Sequence, residues 1–152
     1  MKHLIPLLII TITLAFSSTQ AATPAQEKAF VDSYKKAFEA GDKKALAAFL
    51  YTKGAQPDEI EFSMMMQSMS FGGKITSIEL VTPSAADAAK FNEPMTMPDG
   101  KAFVLNLKPT KQLVIASETK NANESSKGTS KVPVAEKDGK LVIPVPVSAK
   151  KK

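Results

Sequence analysis

The stretch Phe30–Leu50, FVDSYKKAFEAGDKKALAAFL, decides how the chain begins to fold. Its apolar residues recur at helical spacing on both sides of Gly41-Asp42. Glycine readily adopts the left-handed conformation that ends a helix, and aspartate caps the start of the next one. The stretch therefore predicts two consecutive helices joined by a tight turn.

Signals on both sides extend this helical region. Upstream, Thr23–Gln26 (TPAQ) combines a capping-box pattern with a proline at the first helical position. Downstream, Pro57–Glu59 predicts the start of a third helix, because a proline and two acids suit its first turn. We expect this helix to continue to about Phe71 and to end at Gly72-Gly73.

The rest of the chain has the pattern of strands. Apolar residues alternate or cluster in segments 74–82, 103–107, 112–117 and 131–147, and Asp138-Gly139 is a hairpin turn in the last one. Pro144 and Pro146 each remove a ladder donor, so the final strand is expected at a sheet edge or bent. Segment 84–91 has the composition of a short helix, and 121–130 that of a polar loop. Helices segregated from mostly antiparallel strands predict an α+β domain.

Residues 1–21 have the pattern of a secretory signal peptide. A short basic start is followed by the apolar run Leu4–Phe16, and Thr19 and Ala21 suit cleavage after Ala21. The run is shorter than the roughly 20 residues that a membrane-spanning helix needs. We therefore expect an exported protein, periplasmic or secreted, with residues 22–152 as a single domain that ends in a lysine-rich tail and has no membrane span.

Composition excludes several kinds of chemistry. The chain has no cysteine, its 20 basic residues are all lysine, and its one histidine, His3, lies in the predicted signal peptide. The mature chain therefore lacks the residues for Ser-His-Asp or Cys-His catalysis and for the usual zinc sites. Without arginine or a basic stripe, nucleic-acid binding is not expected. The sequence predicts neither a cofactor nor a metal site.

The element order resembles that of the nuclear-transport-factor-2-like (cystatin-like, SnoaL-like) superfamily. The resemblance rests on the helix–Ala-Gly-Asp–helix pattern of residues 30–50, on KITSIEL at 74–80, and on the closing AEKDGKLVIPV at 135–145. It implies three N-terminal helices packed in a curved, mostly antiparallel sheet of four to five strands, cone-like, with an apolar pocket at the open end. Homodimers through the sheet face are common in that superfamily, so the resemblance also implies a possible homodimer here.

The methionines of 64–69 (MMMQSM) and 95–97 (MTM) allow three interpretations. Phe62, Met65, Met66 and Met69 fall on one helical stripe, which is the pattern of a core face. Part of the stripe could instead line a pocket, since thioethers adapt to varied apolar ligands. Soft thioethers also select Cu(I) or Ag(I), and the pairs Met65/Met69 and Met95/Met97 have suitable spacing for it.

The sequence favours a non-catalytic domain that binds a small apolar ligand or a protein partner. We predict no catalytic residue, and we expect nine residues in the interior or the pocket wall: Phe30, Tyr34, Phe38, Phe62, Met65, Met66, Met69, Phe103 and Leu105. The alternatives are methionine-based Cu(I)/Ag(I) binding and a carboxylate-dependent isomerase or hydrolase. The isomerase or hydrolase alternative needs a general base with a raised pKa. The candidates are Asp58, Glu59 and Glu61, one of which would lie beside Tyr34 in an apolar pocket.

Overall fold

A computed structural model describes residues 21–68, 74–96, 100–120 and 125–149. Residues 1–20 of the predicted signal peptide lie outside these ranges, as do the terminal lysines. The elements follow in the order α1 (Pro24–Glu39), α2 (Lys43–Ala47), β1 (Leu50–Tyr51), α3 (Pro57–Ser68), β2 (Lys74–Val81), α4 (Ala85–Asn92), β3 (Met95–Thr96), β4 (Ala102–Leu105), β5 (Lys111–Lys120), β6 (Ser125–Lys137), β7 (Lys140–Pro144) and β8 (Pro146–Ser148).

The first two helices begin and end at the residues that the sequence predicts. The Thr23 hydroxyl accepts a hydrogen bond from the Gln26 N–H, and the Thr23 N–H donates to the Gln26 side chain. This reciprocal pair completes the capping box. Gly41 has φ +62 after α1, and the Asp42 carboxylate accepts from the Ala45 N–H at the start of α2. The turn between the helices is therefore set by local sequence.

The strands form two sheets. Five of them are arranged in the order β1-β7-β6-β5-β2, and the other three in the order β3-β4-β8. All pairs are antiparallel except β1 with β7, in which Leu50 lies beside Ile143. The turn between β6 and β7 falls at Asp138-Gly139, where both residues have positive φ. Such a two-residue turn matches the twist of the flanking strands, as the sequence predicts.

The chain passes from the first sheet to the second at Val145. Pro144 ends β7 and Pro146 begins β8, so the final strand is bent between its two prolines. Asn106 secures this crossing, because its N–H donates to the Val145 carbonyl and its side-chain oxygen accepts from the Val145 N–H at 2.9 Å. The Asn106 amide nitrogen also donates to the Tyr51 carbonyl at 2.6 Å. The Asn106 side chain therefore joins β1 to the crossing between the two sheets.

The core lies between α1 and the five-stranded sheet. From α1, Phe30, Tyr34 and Phe38 are buried, and they cluster with residues such as Leu113 and Ile143 of the strands. Phe49 meets the Tyr34 ring edge-on at a centroid distance of 5.5 Å. This layer of helix on sheet fixes the floor of the cavity described below.

The α+β class is confirmed, but three details of the expectation are wrong. The helices are not all N-terminal, because α4 follows β2, and the strands form two sheets rather than one of four to five strands. Residues 125–130 belong to the long strand β6 rather than to a polar loop, since they pair with β5. Of the helices in the described ranges, none is both long and apolar enough to cross a membrane.

Candidate functional site

A cavity of about 680 Å³ lies against the buried face of the five-stranded sheet. Its floor consists of core side chains from α1 and the sheet, among them Tyr34 and Ile115, and its walls come from α3, α4, β3 and β4. The lining is mostly aromatic, aliphatic or thioether in character, with proline from the bent final strand. Ligand cavities are typically about 300–1,000 Å³ and mainly apolar, so both size and lining suit a small apolar molecule.

The cavity brings together six of the nine residues predicted for the interior or pocket wall: Tyr34, Phe38, Phe62, Met66, Phe103 and Leu105. Phe30 is buried in the core, where its ring packs edge-on against Phe49, and it does not line the cavity. Met65 is 52% exposed and also lies off the lining. Met69 lies outside the described residues.

The interpretation of the methionine stripe as a core face is wrong for Met65 and Met66. Met65 and Met66 are each 52% exposed, whereas the buried residues of α3 are Glu59 and Ser63. Ile60 and Met64 of the same helix pack against the core, partly buried. The helix is therefore rotated so that its buried face carries polar residues and only Met66 of the exposed pair borders the cavity.

Glu59 explains this rotation. The residue is 5% exposed, and its carboxylate accepts hydrogen bonds from the Gln56 N–H at 2.8 Å, the Ser148 N–H at 2.6 Å and the Ser148 hydroxyl at 2.7 Å. Desolvation raises the pKa of Glu59, but these three hydrogen bonds outweigh it and hold the pKa below its usual value. The group therefore stays ionised and joins the start of α3 to β8.

The predicted acidic residues do not form a catalytic base in the cavity. Both oxygens of Glu59 are occupied by β8 and the helix N-terminus, and Asp58 and Glu61 are exposed on α3, off the cavity lining. Burial raises the pKa of Tyr34 to about 12, so the phenol stays protonated at neutral pH. Among the described residues, the carboxylate that borders the cavity is that of Glu93, which is exposed at the rim.

Helix α4 covers one side of the cavity without a buried residue of its own. It is held through Asp87, whose oxygens accept from the Lys131 ammonium at 2.7 and 2.9 Å and from the Ser84 hydroxyl at 2.8 Å. The Gln112 amide also donates to Asp87. The hydrogen bond from Lys131, the largest contribution, and that from Ser84 hold the pKa of Asp87 at about 2. No local sequence pattern indicates this polar contact, because it joins positions far apart in the chain.

The polar groups at the cavity wall are few and mostly uncharged. Ser63, Gln67, Thr96 and Ser130 border it together with the charged residues Lys90, Glu93 and Lys131. The Gln67 side-chain oxygen is buried, and among the described residues it has no hydrogen-bond partner. A buried amide oxygen without a partner is uncommon in folded proteins and calls for a physical explanation.

The described residues also bear on metal binding. Within the described ranges, no group of three or more His, Cys, Asp or Glu side chains is placed to hold a metal ion. Met66 and Met95 both border the cavity, from α3 and β3. Of the methionine pairs predicted for soft cations, Met69 and Met97 lie outside the described residues, so neither pair is described in full.

No family model matches this chain, and no curated protein or solved structure is significantly similar to it.

Proposed function

We propose that this domain is a non-catalytic binding protein that holds a small apolar ligand in its cavity. The observation that carries the proposal is the cavity of about 680 Å³ with its mainly apolar lining. Removing apolar surface from water contributes roughly 25 cal/mol per Å² to binding. A cavity of this lining therefore favours an apolar occupant over water.

The rim supports the same proposal. Met66 and Met95 are 52% and 45% exposed, although methionine side chains of globular proteins are commonly buried. Flexible thioethers at the entrance of an apolar cavity adapt to ligands of different shape. Phe91 of α4 and Phe103 of β4 line the same cavity and provide rigid apolar surface.

The proposal extends to location and relationship. The signal-peptide pattern of residues 1–21 supports export to the periplasm or the exterior. The paired helices around Gly41-Asp42 and the closing hairpin at Asp138-Gly139 support a distant relation to the nuclear-transport-factor-2-like superfamily. From that relation we expect a cone-like curvature of the sheet. We also expect a homodimer through the sheet face, and sedimentation equilibrium tests the dimer. A protein partner in place of a small ligand is the alternative occupant.

Titration with the fluorescent apolar probe N-phenyl-1-naphthylamine tests the proposal. Met65→Trp and Met66→Trp form a matched pair, because both methionines lie on α3 and are 52% exposed but only Met66 borders the cavity. The larger side chain at Met66 occupies space at the entrance. We expect Met66→Trp to weaken probe binding about tenfold, corresponding to about 1.4 kcal/mol, and Met65→Trp to leave it unchanged.

Two results contradict the proposal: no saturable binding of the probe, or equal weakening in both variants. Native mass spectrometry of the protein purified from its own host compartment then addresses the ligand itself. A retained organic mass supports the proposal and identifies the ligand class. A mass equal to that of the bare chain, together with failed probe binding, redirects the search to protein partners.

A second candidate function is Cu(I) or Ag(I) binding. It is favoured by the common location of Met66 and Met95 at the cavity, because soft thioethers select soft cations. Native mass spectrometry with added Cu(I) tests it through a stoichiometric adduct that Met66→Leu and Met95→Leu remove. The third alternative, a carboxylate-dependent isomerase or hydrolase, depends on Glu93 as the carboxylate that borders the cavity.

A further inference from the structure

The peptide nitrogen of Ala22 makes a contact that the cavity and its ligand do not explain. It donates a hydrogen bond to the Glu136 carboxylate at 3.0 Å, across 114 positions of the chain. Ala22 is half-buried and packs against the core. It is also the residue that follows the predicted cleavage after Ala21. The position at which the mature chain is expected to begin is therefore fixed on strand β6.

Glu136 lies on the core side of the sheet without a cation beside it. Its cross-strand partner in β7 is the buried core residue Leu141, and directly opposed side chains of a sheet share one face. Glu136 itself is half-buried. It takes part in none of the ion pairs between described residues, and the neighbouring Lys137 pairs with Asp138 instead. A partly desolvated carboxylate thus has one neutral N–H as its partner, and an opposite charge compensates desolvation better.

Cleavage after Ala21 supplies that charge. A signal peptidase hydrolyses the Ala21–Ala22 peptide bond with one molecule of water, which leaves a carboxylate on Ala21 and an amino group on Ala22. An α-amino group has a usual pKa of about 7.7–8.0, so it is mostly protonated at neutral pH. The nitrogen that donates to Glu136 as a neutral amide in the uncleaved chain therefore faces it as an ammonium in the mature chain.

The residues after Ala22 favour a terminus at this position over its neighbours. The Thr23 N–H is used within the capping box, where it donates to the Gln26 side chain at 2.8 Å. A chain that began at Thr23 would have no Ala22 nitrogen at Glu136. A chain that kept Ala21 would have only an uncharged N–H there.

We infer that Glu136 is the built acceptor of the mature N-terminus, so that removal of the signal peptide creates an ion pair between the Ala22 ammonium and β6. This inference rests on the proposed export and goes beyond ligand binding. Helix α1 begins two residues after Ala22, and the dipole of a helix disfavours a positive charge at its N-terminus. Glu136 offsets this repulsion. Processing thus strengthens the attachment of the helix that carries the cavity floor.

Intact mass spectrometry of the protein purified from its own host compartment tests the processing step. We expect a chain that begins at Ala22. A chain that begins at another residue, or that retains residues 1–21, overturns both the inference and the proposed export. The titration with N-phenyl-1-naphthylamine is independent of this result, so the ligand proposal stands or fails separately.

Urea unfolding of the mature chain, with and without an N-terminal acetyl group, tests the ion pair. The acetyl group removes the charge of Ala22 and keeps an N–H at the same nitrogen. Both forms are compared in the wild type and in Glu136→Gln, as in a double-mutant cycle. We expect acetylation to raise the equilibrium constant of unfolding about 2- to 5-fold more in the wild type than in Glu136→Gln, the range of a partly exposed ion pair.

Glu27→Gln is the matched control, because Glu27 is a second half-buried carboxylate near the start of α1 but pairs with Lys111, at 2.7 Å. Acetylation should have the same effect in this variant as in the wild type. Glu136→Met provides the comparison if Glu136→Gln does not fold. An equal effect of acetylation in the wild type and in a folded Glu136 variant overturns the ion pair, even where the chain begins at Ala22.

Discussion

Replacing Glu59 by glutamine tests how α3 is attached to the rest of the domain. Glutamine keeps the size of the side chain but replaces one acceptor oxygen by an NH₂ group. The Glu59 carboxylate receives three hydrogen bonds, one from Gln56 and two from Ser148. If the glutamine oxygen keeps both bonds from Ser148, its NH₂ group faces the Gln56 N–H, and donor then opposes donor.

The expected loss of stability follows from these contacts. Hydrogen bonds to charged groups contribute about 1.5–3 kcal/mol each and neutral ones about 0.5–1.5 kcal/mol. One bond is lost and two are weakened, while relief from burying a carboxylate offsets part of the loss. We expect the free energy of unfolding to fall by about 2–3 kcal/mol. For a domain of this size that lowers Tm by about 6–12 °C.

Thermal unfolding followed by circular dichroism measures the change, and pH provides an independent check. Because hydrogen bonding lowers the pKa of Glu59 in the folded state, its stabilisation is complete above the usual pKa of about 4.3 and is lost as the pH falls through the lower folded value. The difference in the free energy of unfolding between wild type and Glu59→Gln should therefore decrease as the pH is lowered. Glu61→Gln, on the exposed side of α3, should stay within about 0.5 kcal/mol of wild type. Two results would refute the account of Glu59: a stability loss at neutral pH no larger than that of Glu61→Gln, or a difference between wild type and Glu59→Gln that does not decrease as the pH is lowered.

Asn106→Ala removes the side chain that secures the crossing between the sheets, and chemical unfolding should show a loss of about 2–4 kcal/mol, since buried backbone groups lose their partners. Lys131→Met removes the main hydrogen bond to Asp87, so an NMR titration should show the pKa of Asp87 rising from about 2 towards its usual value of about 3.9. In Tyr51→Phe, where Tyr34 is the remaining tyrosine, absorbance titration should give a midpoint near pH 12, because burial opposes ionisation of Tyr34.

Each of these predictions has a control or an opposing result. Asn92→Ala alters an exposed asparagine whose side chain bonds only within its own helix, so it should cost less than Asn106→Ala. Lys127→Met changes another lysine of β6, which has no contact with Asp87, and should leave the Asp87 titration as in the wild type. A tyrosine midpoint near 10 in the folded protein contradicts the burial of Tyr34.

Local signals in the sequence predict the parts of the fold that depend on neighbouring residues. Thr23 with Gln26, the Gly41-Asp42 turn and the Asp138-Gly139 turn are each set by residues close in the chain, and each lies where expected. The cavity residues Phe103 and Leu105 also follow from strand alternation. Alternation places these two residues on one face of the strand, and both line the cavity.

The orientation of α3 could not be predicted, because distant residues determine it. Apolar spacing favours burial of Met65 and Met66, but the helix buries Glu59 and Ser63 instead. The energy that favours this rotation comes from Ser148, 89 positions away from Glu59, and no local pattern records it. The Asp87–Lys131 contact that holds α4 was missed for the same reason.

The pairing of β1 with β7 has a consequence for how the chain folds. Leu50 lies beside Ile143. Asn106, which lies between these two residues in the sequence, bonds to Tyr51 in β1 and to Val145 just after β7. Contacts between residues so far apart require closure of a long loop before they stabilise anything, and a high share of such contacts slows folding. The position between β1 and β6 thus stays empty until β7 has been synthesised. The paired helices at the N-terminus can form early, but the cavity and its walls appear only when the last strand arrives.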